Sequence, residues 1–156
     1  MKLSEHFELS EFTRNSHGLP NEPPADVIPV LREFCEKILE PLRAHVGRPV
    51  VITSGYRSVE LNRKVDGLPN SYHLATPTRC AADIQVAGLP LEQVFQWLCE
   101  ESRLRFDKAI LERGKHPDTE TDDCIHIQYR SDRPRRLAYL GPTHGQGDYT
   151  PIEVNA

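Results

Sequence analysis

The chain has 156 residues, a formal net charge of -4 at pH 7 and 38% hydrophobic residues. Its mild acidity excludes a dedicated nucleic-acid binder, which needs a basic surface to neutralise phosphates. No apolar run reaches the ~18 residues of a membrane span, and the first ten residues lack the apolar core of a signal peptide. We therefore expect one domain over residues 1–156, made in the cytoplasm as a monomer, with no nucleic-acid partner and no membrane span.

Helices come first along the chain and strands follow. Apolar residues recur at steps of three and four from Asp26 to Val46, which predicts a helix that Pro41 kinks or divides and Gly47 ends. This order favours an α+β fold with a small, mostly antiparallel central sheet and flanking helices. The predicted elements are helices at 26–46, 58–65 and 90–101, strands at 49–54, 81–86, 106–111, 124–129 and 135–140, a polar loop at 113–122, and a loose C-terminal tail at 141–156.

Three potential metal ligands stand in favourable local settings. His73 follows a polar loop, and Asp83 and His126 each lie inside a short apolar strand. A charge buried in a strand needs a partner, and two imidazoles with one carboxylate are typical ligands of a catalytic zinc ion. Two other interpretations stay open from the residues alone: a hydrogen-bonded core histidine, and an aspartate at a sheet edge.

Eight short segments occur in a specific order between residue 1 and about residue 130. They are MKLSEHF and LSEFTR at the start, LEPLR at 39–43, ITSGYRS at 52–58, LN at 61–62, SYH at 71–73, AADI at 81–84 and IHI at 125–127. This pattern resembles the phage and bacterial zinc D-alanyl-D-alanine carboxypeptidase family, which includes L-alanyl-D-glutamate endopeptidases. The resemblance implies that His73, Asp83 and His126 bind one Zn²⁺ ion, and it implies the α+β fold that these peptidases share with hedgehog-like domains.

The resemblance also implies a function. We expect a zinc metallopeptidase that cleaves stem or cross-link peptides of peptidoglycan, as a phage or prophage lytic enzyme that acts on the cell wall after release or as part of a phage particle. The alternative is a structural or virion-associated protein that binds zinc on the same fold without turnover. Four arginines between Arg130 and Arg136 offer contacts to an anionic wall, or simply form a solvated basic edge.

The family's general base stands three residues before the last histidine ligand, which is the position of Asp123. A carboxylate there takes a proton from the attacking water and returns it to the leaving amine. The family has Glu or Asp at this position, and Asp leans towards endopeptidase action by analogy alone. Because strand faces alternate, we expect Asp123 just before the strand or at a bulge. The other interpretation of Asp122 and Asp123 is a solvated loop end.

Arg57 and Ser71 are the remaining candidates. By its place in the family motif, Arg57 faces the active site, where a guanidinium binds a substrate carboxylate or stabilises an oxyanion; the alternative is a structural salt bridge. Ser71 is expected to shape the site and to hydrogen-bond substrate, and its alternative is a turn residue that bonds its own backbone.

The segment between the first two ligands departs from the family pattern. His73 and Asp83 are ten residues apart, three more than in the family motif, and the motif glycine is lost. The extra residues must bulge out as a loop if both ligands reach one metal. The insertion brings Cys80 near Asp83, while Cys124 shares a strand face with His126. For both thiols, we expect burial as small hydrophobes rather than metal binding.

Overall fold

The computed structural model describes residues 1–114, 123–142 and 147–156. The predicted loop at 113–122 and Asp122 therefore lie largely outside the described residues. The helices are α1 (Leu9–Thr13), α2 (Ile28–Phe34), α3 (Glu40–Val46), α4 (Val59–Lys64) and α5 (Leu91–Glu100), and the strands are β1 (Val50–Ser54), β2 (Arg79–Val86), β3 (Lys108–Glu112), β4 (Cys124–Arg130), β5 (Leu137–Leu140) and β6 (Thr150–Ile152).

A single six-stranded sheet organises these elements. Its strand order is β1-β2-β4-β3-β5-β6. Every neighbouring pair is antiparallel except β3 and β5, which run parallel. The predicted α+β fold with a mostly antiparallel sheet is confirmed. Among the residues that the structure describes, no helix has the length and apolarity needed to cross a bilayer.

The predicted helix at 26–46 forms, but its backbone changes geometry along its length. A 3-10 turn (Ala25–Val27) leads into α2, and a π-helical turn (Cys35–Leu39) joins α2 to α3. Pro41 lies in the first turn of α3, directly after the wide turn. Because proline donates no backbone hydrogen bond, a change of helical geometry just before it is favourable. Gly47 ends α3 with a left-handed φ of 63°.

The two faces of the sheet differ in what covers them. Alternate residues of β4 are buried in the core, namely Ile125, Ile127 and Tyr129. They pack in one apolar cluster with helix residues such as Phe34, whose ring stacks on Tyr129 with centroids 5.7 Å apart. The intervening residues of β4 face the other side, where the sheet carries an open cleft. Side-chain alternation thus separates core from cleft along β3 and β4.

The C-terminal tail differs from the expectation. Residues 150–152 form β6, which pairs with β5 as the edge strand of the sheet. Beyond it, the backbone N–H of Asn155 donates to the carbonyl of Cys99 at 2.9 Å. The prediction of a loose tail from residue 141 is therefore wrong for this part of the chain, because sheet pairing and helix contacts fix a segment that has little apolar patterning of its own.

Candidate metal centre

His73 is held by its backbone and by one ring nitrogen. It lies in a 3-10 turn (Tyr72–Leu74). The Ser71 hydroxyl caps this turn by accepting a hydrogen bond of 3.2 Å from the backbone N–H of His73. Its side chain is only 3% exposed. Nδ1 lies 2.6 Å from the carbonyl oxygen of Gly55. A carbonyl only accepts, so Nδ1 carries the proton and Nε2 points into the cleft as an acceptor.

Gly55 is placed where no side chain fits. It follows β1, and a Cβ at this position would lie 2.6 Å from Cα and 2.9 Å from the carbonyl oxygen of Phe12. The close approach of Phe12 in α1 therefore requires glycine. The consequence for the site is that the Gly55 carbonyl is fixed at the distance that orients the His73 ring.

Asp83 and His126 meet across two strands. They are directly opposite in the β2–β4 ladder. Nδ1 of His126 lies 2.8 Å from Oδ1 of Asp83, and Nε2 of His73 lies 3.3 Å from the same oxygen. One ligand atom from each of the three residues lies within 4.8 Å of the other two. The structure thus brings together the three residues that the sequence analysis selected as ligands.

The donor chemistry of this cluster fits a zinc ion. The acceptor Nε2 of His73 faces a carboxylate oxygen at 3.3 Å, and two lone pairs that face each other are stabilised by a cation between them. Two ligand atoms of a tetrahedral zinc site, each about 2.0–2.1 Å from the ion, lie about 3.3 Å apart. Two imidazoles and one carboxylate also leave a position for water or substrate.

The protonation states agree with this donor set. Burial lowers the pKa of His73, which favours the neutral imidazole. Burial by itself raises the pKa of Asp83, but the two neighbouring imidazole rings outweigh it and hold that pKa well below its ordinary value. A neutral imidazole and an ionised carboxylate are the forms that bind metals.

Arg57 lies beside the cluster in a fixed position. Its Nη2 is 3.8 Å from Oδ2 of Asp83. Its Nε donates to the Ser54 hydroxyl and its Nη1 to Oδ1 of Asn62, both at 3.2 Å. Burial lowers the pKa of Arg57, yet a guanidinium starts so high that it stays charged at neutral pH. The side chain therefore presents a fixed positive charge to the cleft, while its role in substrate binding stays a prediction.

The inserted segment folds into a tight turn. Thr76 and Arg79 exchange two backbone hydrogen bonds, of 2.9 and 3.3 Å, and β2 begins at Arg79. The turn takes up the extra residues, so Asp83 still reaches His73. The Arg79 guanidinium lies 4.7 Å from the centre of the Tyr72 ring, and both side chains line the cleft.

Cys80, Cys124 and Ser71 lie outside the three-residue cluster. Cys80 is 1% exposed in the core, with Sγ 3.9 Å from the Val30 carbonyl oxygen, so its predicted burial is confirmed. Cys124 is half-buried, and it is not part of the three-residue cluster that suits a metal. Ser71 lines the cleft while its hydroxyl caps the turn that carries His73. The expected contact between Ser71 and substrate stays a prediction.

Two carboxylates, Asp123 and Glu112, are candidates for the general base. The predicted one, Asp123, accepts a hydrogen bond from the Gly114 N–H at 2.6 Å through Oδ1 and is not among the residues that line the cleft. Glu112 does line it. It pairs with Cys124 in the β3–β4 ladder, so its side chain lies on the same face as His126, at a diagonal position about 7–8 Å away. Glu112 therefore lines the cleft together with the ligands, and the role of Asp123 as general base stays a prediction.

Glu112 was not among the predicted site residues because the predicted strand ended at residue 111. The signal was period-two alternation, which puts Lys108, Ile110 and Glu112 on one face of β3. His126 pairs with Ile110 on that face. Extending the alternation by one residue would have placed a glutamate beside the last predicted ligand.

The three predicted ligands, Arg57 and Glu112 open into one cleft of about 800 Å³. Its floor is the face of the sheet that the core helices leave uncovered, and its wall is the segment from α4 to the turn at His73. The cleft holds two imidazoles, a fixed arginine and the carboxylates of Asp66, Asp83 and Glu112. These are the groups of a metal-dependent hydrolase.

The chain belongs to the Peptidase M15 family, whose model matches residues 5–116. The family consists of zinc-dependent peptidases, so the predicted resemblance is confirmed. The matched range includes Arg57, His73, Asp83 and Glu112 and ends before β4, so His126 lies outside it. A search of curated proteins finds no match to this chain.

Proposed function

We propose that this protein is a zinc peptidase that hydrolyses stem or cross-link peptides of peptidoglycan, as a lytic enzyme of a phage or prophage. The convergence of His73, Asp83 and His126 on one point in an open cleft supports the zinc site most directly. Membership in a family of peptidases supports peptide hydrolysis. The peptidoglycan substrate rests on the resemblance of the motifs to cell-wall peptidases.

The chain's own residues have separate tasks in this proposal. His73, Asp83 and His126 hold the ion, and the Gly55 carbonyl fixes the ring of His73. A bound zinc ion would supply Lewis acidity at this position. Arg57 presents its guanidinium to negative charge that develops on the substrate oxygen. Glu112 takes the proton of the attacking water and passes it to the leaving amine.

Glu112 replaces Asp123 as the proposed base because of position. General-base catalysis requires the carboxylate to reach the reacting water, and Glu112 lines the cleft on the face of His126. Asp123 uses one carboxylate oxygen to accept the Gly114 N–H and its carbonyl to accept from Gln85 at 2.7 Å. Its proposed task is therefore to fix the start of β4, which carries His126.

The test is digestion of purified peptidoglycan by the zinc-loaded protein, with released peptides identified by mass spectrometry. We expect zinc-dependent release, and we expect Glu112→Gln to lower kcat about 10²–10⁴-fold, the usual contribution of a general base. Asp123→Asn is the matched control and should keep most of the activity. A large loss in Asp123→Asn with an active Glu112→Gln would reverse the assignment. Bound zinc without release of any peptide would favour the non-catalytic alternative.

A further inference from the structure

Acidic and basic side chains are distributed unevenly along the strands that form the floor of the cleft. Side chains of β4 that face the cleft follow one another at about 6.8 Å, the length of two strand residues. Cys124 pairs with Glu112, His126 with Asp83, and Gln128 with Lys108. The carboxylates therefore lie at one end of this row, and a lysine lies beyond His126 at the other.

Three cations line that second end, namely Arg79, Lys108 and Arg135. The charge of Arg135 is matched by the buried Asp107, which accepts two hydrogen bonds from its guanidinium at 2.9 and 2.8 Å. The other two lie over aromatic rings: Arg79 is 4.7 Å from the centre of Tyr72, and Lys108 is 5.7 Å from that of Tyr139. Aromatic faces attract cations but do not neutralise them.

Neither Arg79 nor Lys108 forms an ion pair with a carboxylate of the described residues. The third acidic residue of the cleft, Asp66, belongs to the wall that runs from α4 to the turn at His73. It follows α4 and precedes Gly67, which approaches the Arg57 guanidinium. The end of the cleft beyond His126 therefore carries two positive charges that the described part of the protein does not balance.

An acceptor without a hydrogen bond lies beside Lys108. Gln128 is flanked by Lys108 on β3 and by Ala81 on β2, and its side chain lines the cleft. Its Oε1 is buried and accepts no hydrogen bond within the described residues. A buried acceptor without a donor is costly, so this atom calls for a donor from a ligand or from water.

We propose that Lys108, Arg79 and Gln128 form a subsite for a carboxylate-bearing residue of the substrate, one or two residues from the bond that is cut. Lys108 and Arg79 bind the carboxylate, and the side-chain amide of Gln128 hydrogen-bonds a peptide group of the same segment. This inference rests on the proposed function and gives it a substrate preference. Arg79 comes from the inserted turn, so the insertion contributes a specificity residue to the cleft rather than blocking it.

Two sources supply such a carboxylate: an acidic side chain and the C-terminus of a peptide. The test uses the full-length, zinc-loaded protein with the Glu112→Gln substitution, which slows turnover during a calorimetric titration. The ligands are three forms of one synthetic tetrapeptide of L-Ala, D-Glu, L-Lys and D-Ala: the unmodified peptide, the form with Gln in place of Glu, and the C-terminal carboxamide. The form that loses affinity identifies the carboxylate that is bound.

We expect one neutral form to bind about 10–100-fold more weakly than the unmodified peptide, as for a lost hydrogen bond to a charged group. Adding Lys108→Gln or Arg79→Gln should bring the two forms within about threefold of each other, since each substitution removes one of two charges. Lys108→Arg retains the charge and should retain the preference. Arg133→Gln makes the same change of charge on an exposed residue outside the cleft and should also retain it.

Equal affinity for all three forms would overturn the subsite, as would an equal loss of preference in Arg133→Gln. A parallel assay follows hydrolysis of the same peptides by the zinc-loaded protein that retains Glu112. If hydrolysis occurs without any effect of the carboxylates on KM, the subsite fails and the proposed function stands. If no peptide is hydrolysed while the binding preference and its loss in Lys108→Gln persist, the proposed function fails and the subsite stands.

Discussion

The two faces of the sheet use the same strands in opposite ways. On β4, Ile125 and Ile127 are fully buried under the helices. His126 lies between them in the sequence and faces the cleft, with a side chain 12% exposed. One face is apolar and closed, and the other is polar, charged and open. Neighbouring residues of one strand therefore have different roles, in core stability or in metal binding. Substitutions at adjacent positions should affect one role and leave the other unchanged.

The largest effect is expected on the core side. Ile127→Ala removes a fully buried side chain between β2 and β3, where its ladder partners are Ala82 and Ala109. These small neighbours fill little of the space, so we expect a loss of about 2–5 kcal/mol in the free energy of unfolding. Denaturant titration measures it. The folded fraction should still bind zinc with its original affinity, and a parallel loss of zinc affinity would mean that the two faces are not independent.

The matched change on the cleft side is His126→Ala. Removing one of three ligands should weaken zinc affinity by more than about 100-fold, because even changes behind the ligands cost 10–100-fold. Without zinc, the free energy of unfolding should fall by about 1–3 kcal/mol, because the buried Asp83 carboxylate loses its hydrogen bond to His126. Competition with a chelator measures the affinity. Unchanged zinc affinity would remove His126 from the site.

Gly55→Ala should affect both faces. Its Cβ would collide with the backbone of Phe12, so we expect a loss of about 1–3 kcal/mol of stability. Displacement of the Gly55 carbonyl should also weaken zinc binding by about 10–100-fold through His73. The control is Gly18→Ala. There φ is 66°, and an added Cβ would have no neighbouring atom within 4 Å. It should cost about 1–2 kcal/mol and leave zinc affinity unchanged, which separates general destabilisation from the effect on His73.

The smallest effect concerns a hydrogen bond at the rim of the core. The Tyr129 hydroxyl donates to Oε1 of Glu33 at 2.6 Å, and this bond lowers the pKa of Glu33. Tyr129→Phe should cost about 1 kcal/mol at pH 7. Since the folded pKa is lowered, the contribution is complete above the unfolded value of about 4.3 and is lost as the pH falls through the folded value.

The difference in stability between the wild-type protein and Tyr129→Phe should therefore be constant from about pH 6 to 8 and shrink below about pH 4. Denaturant titrations at several pH values measure it. Glu33→Gln provides the control, because a neutral amide accepts the bond at every pH. In that background the cost of Tyr129→Phe should not depend on pH between 3 and 7. A persistent dependence would assign it to another group.

The sequence predicted most of the fold because the main elements carry strong local patterns. Residues 26–46 have helical periodicity, and β2 and β4 are apolar runs that bury one face. The strand β6 was missed because Thr150, Pro151 and Ile152 show no alternation; it forms only because the edge of β5 is available for pairing. Local pattern therefore fails where the tertiary partner decides the structure.

For the site, sequence reasoning selected the residues but not all of their positions. His73, Asp83 and His126 followed from motif order, and the structure brings them together despite the insertion. Asp123 was predicted as the base from its spacing from His126 along the chain, and that role stays a prediction. The proposed alternative, Glu112, lies across the ladder on β3, and finding it requires the pairing and register of the strands.

The central claim is that His73, Asp83 and His126 bind one zinc ion. An anomalous difference map from crystals of the zinc-loaded protein, collected on both sides of the zinc absorption edge, tests it most directly. We predict one strong peak in the cleft, about 2.0–2.2 Å from a nitrogen of each histidine and an oxygen of Asp83. A well-ordered cleft with no peak among these three residues, or a zinc ion bound elsewhere in the chain, would contradict the account.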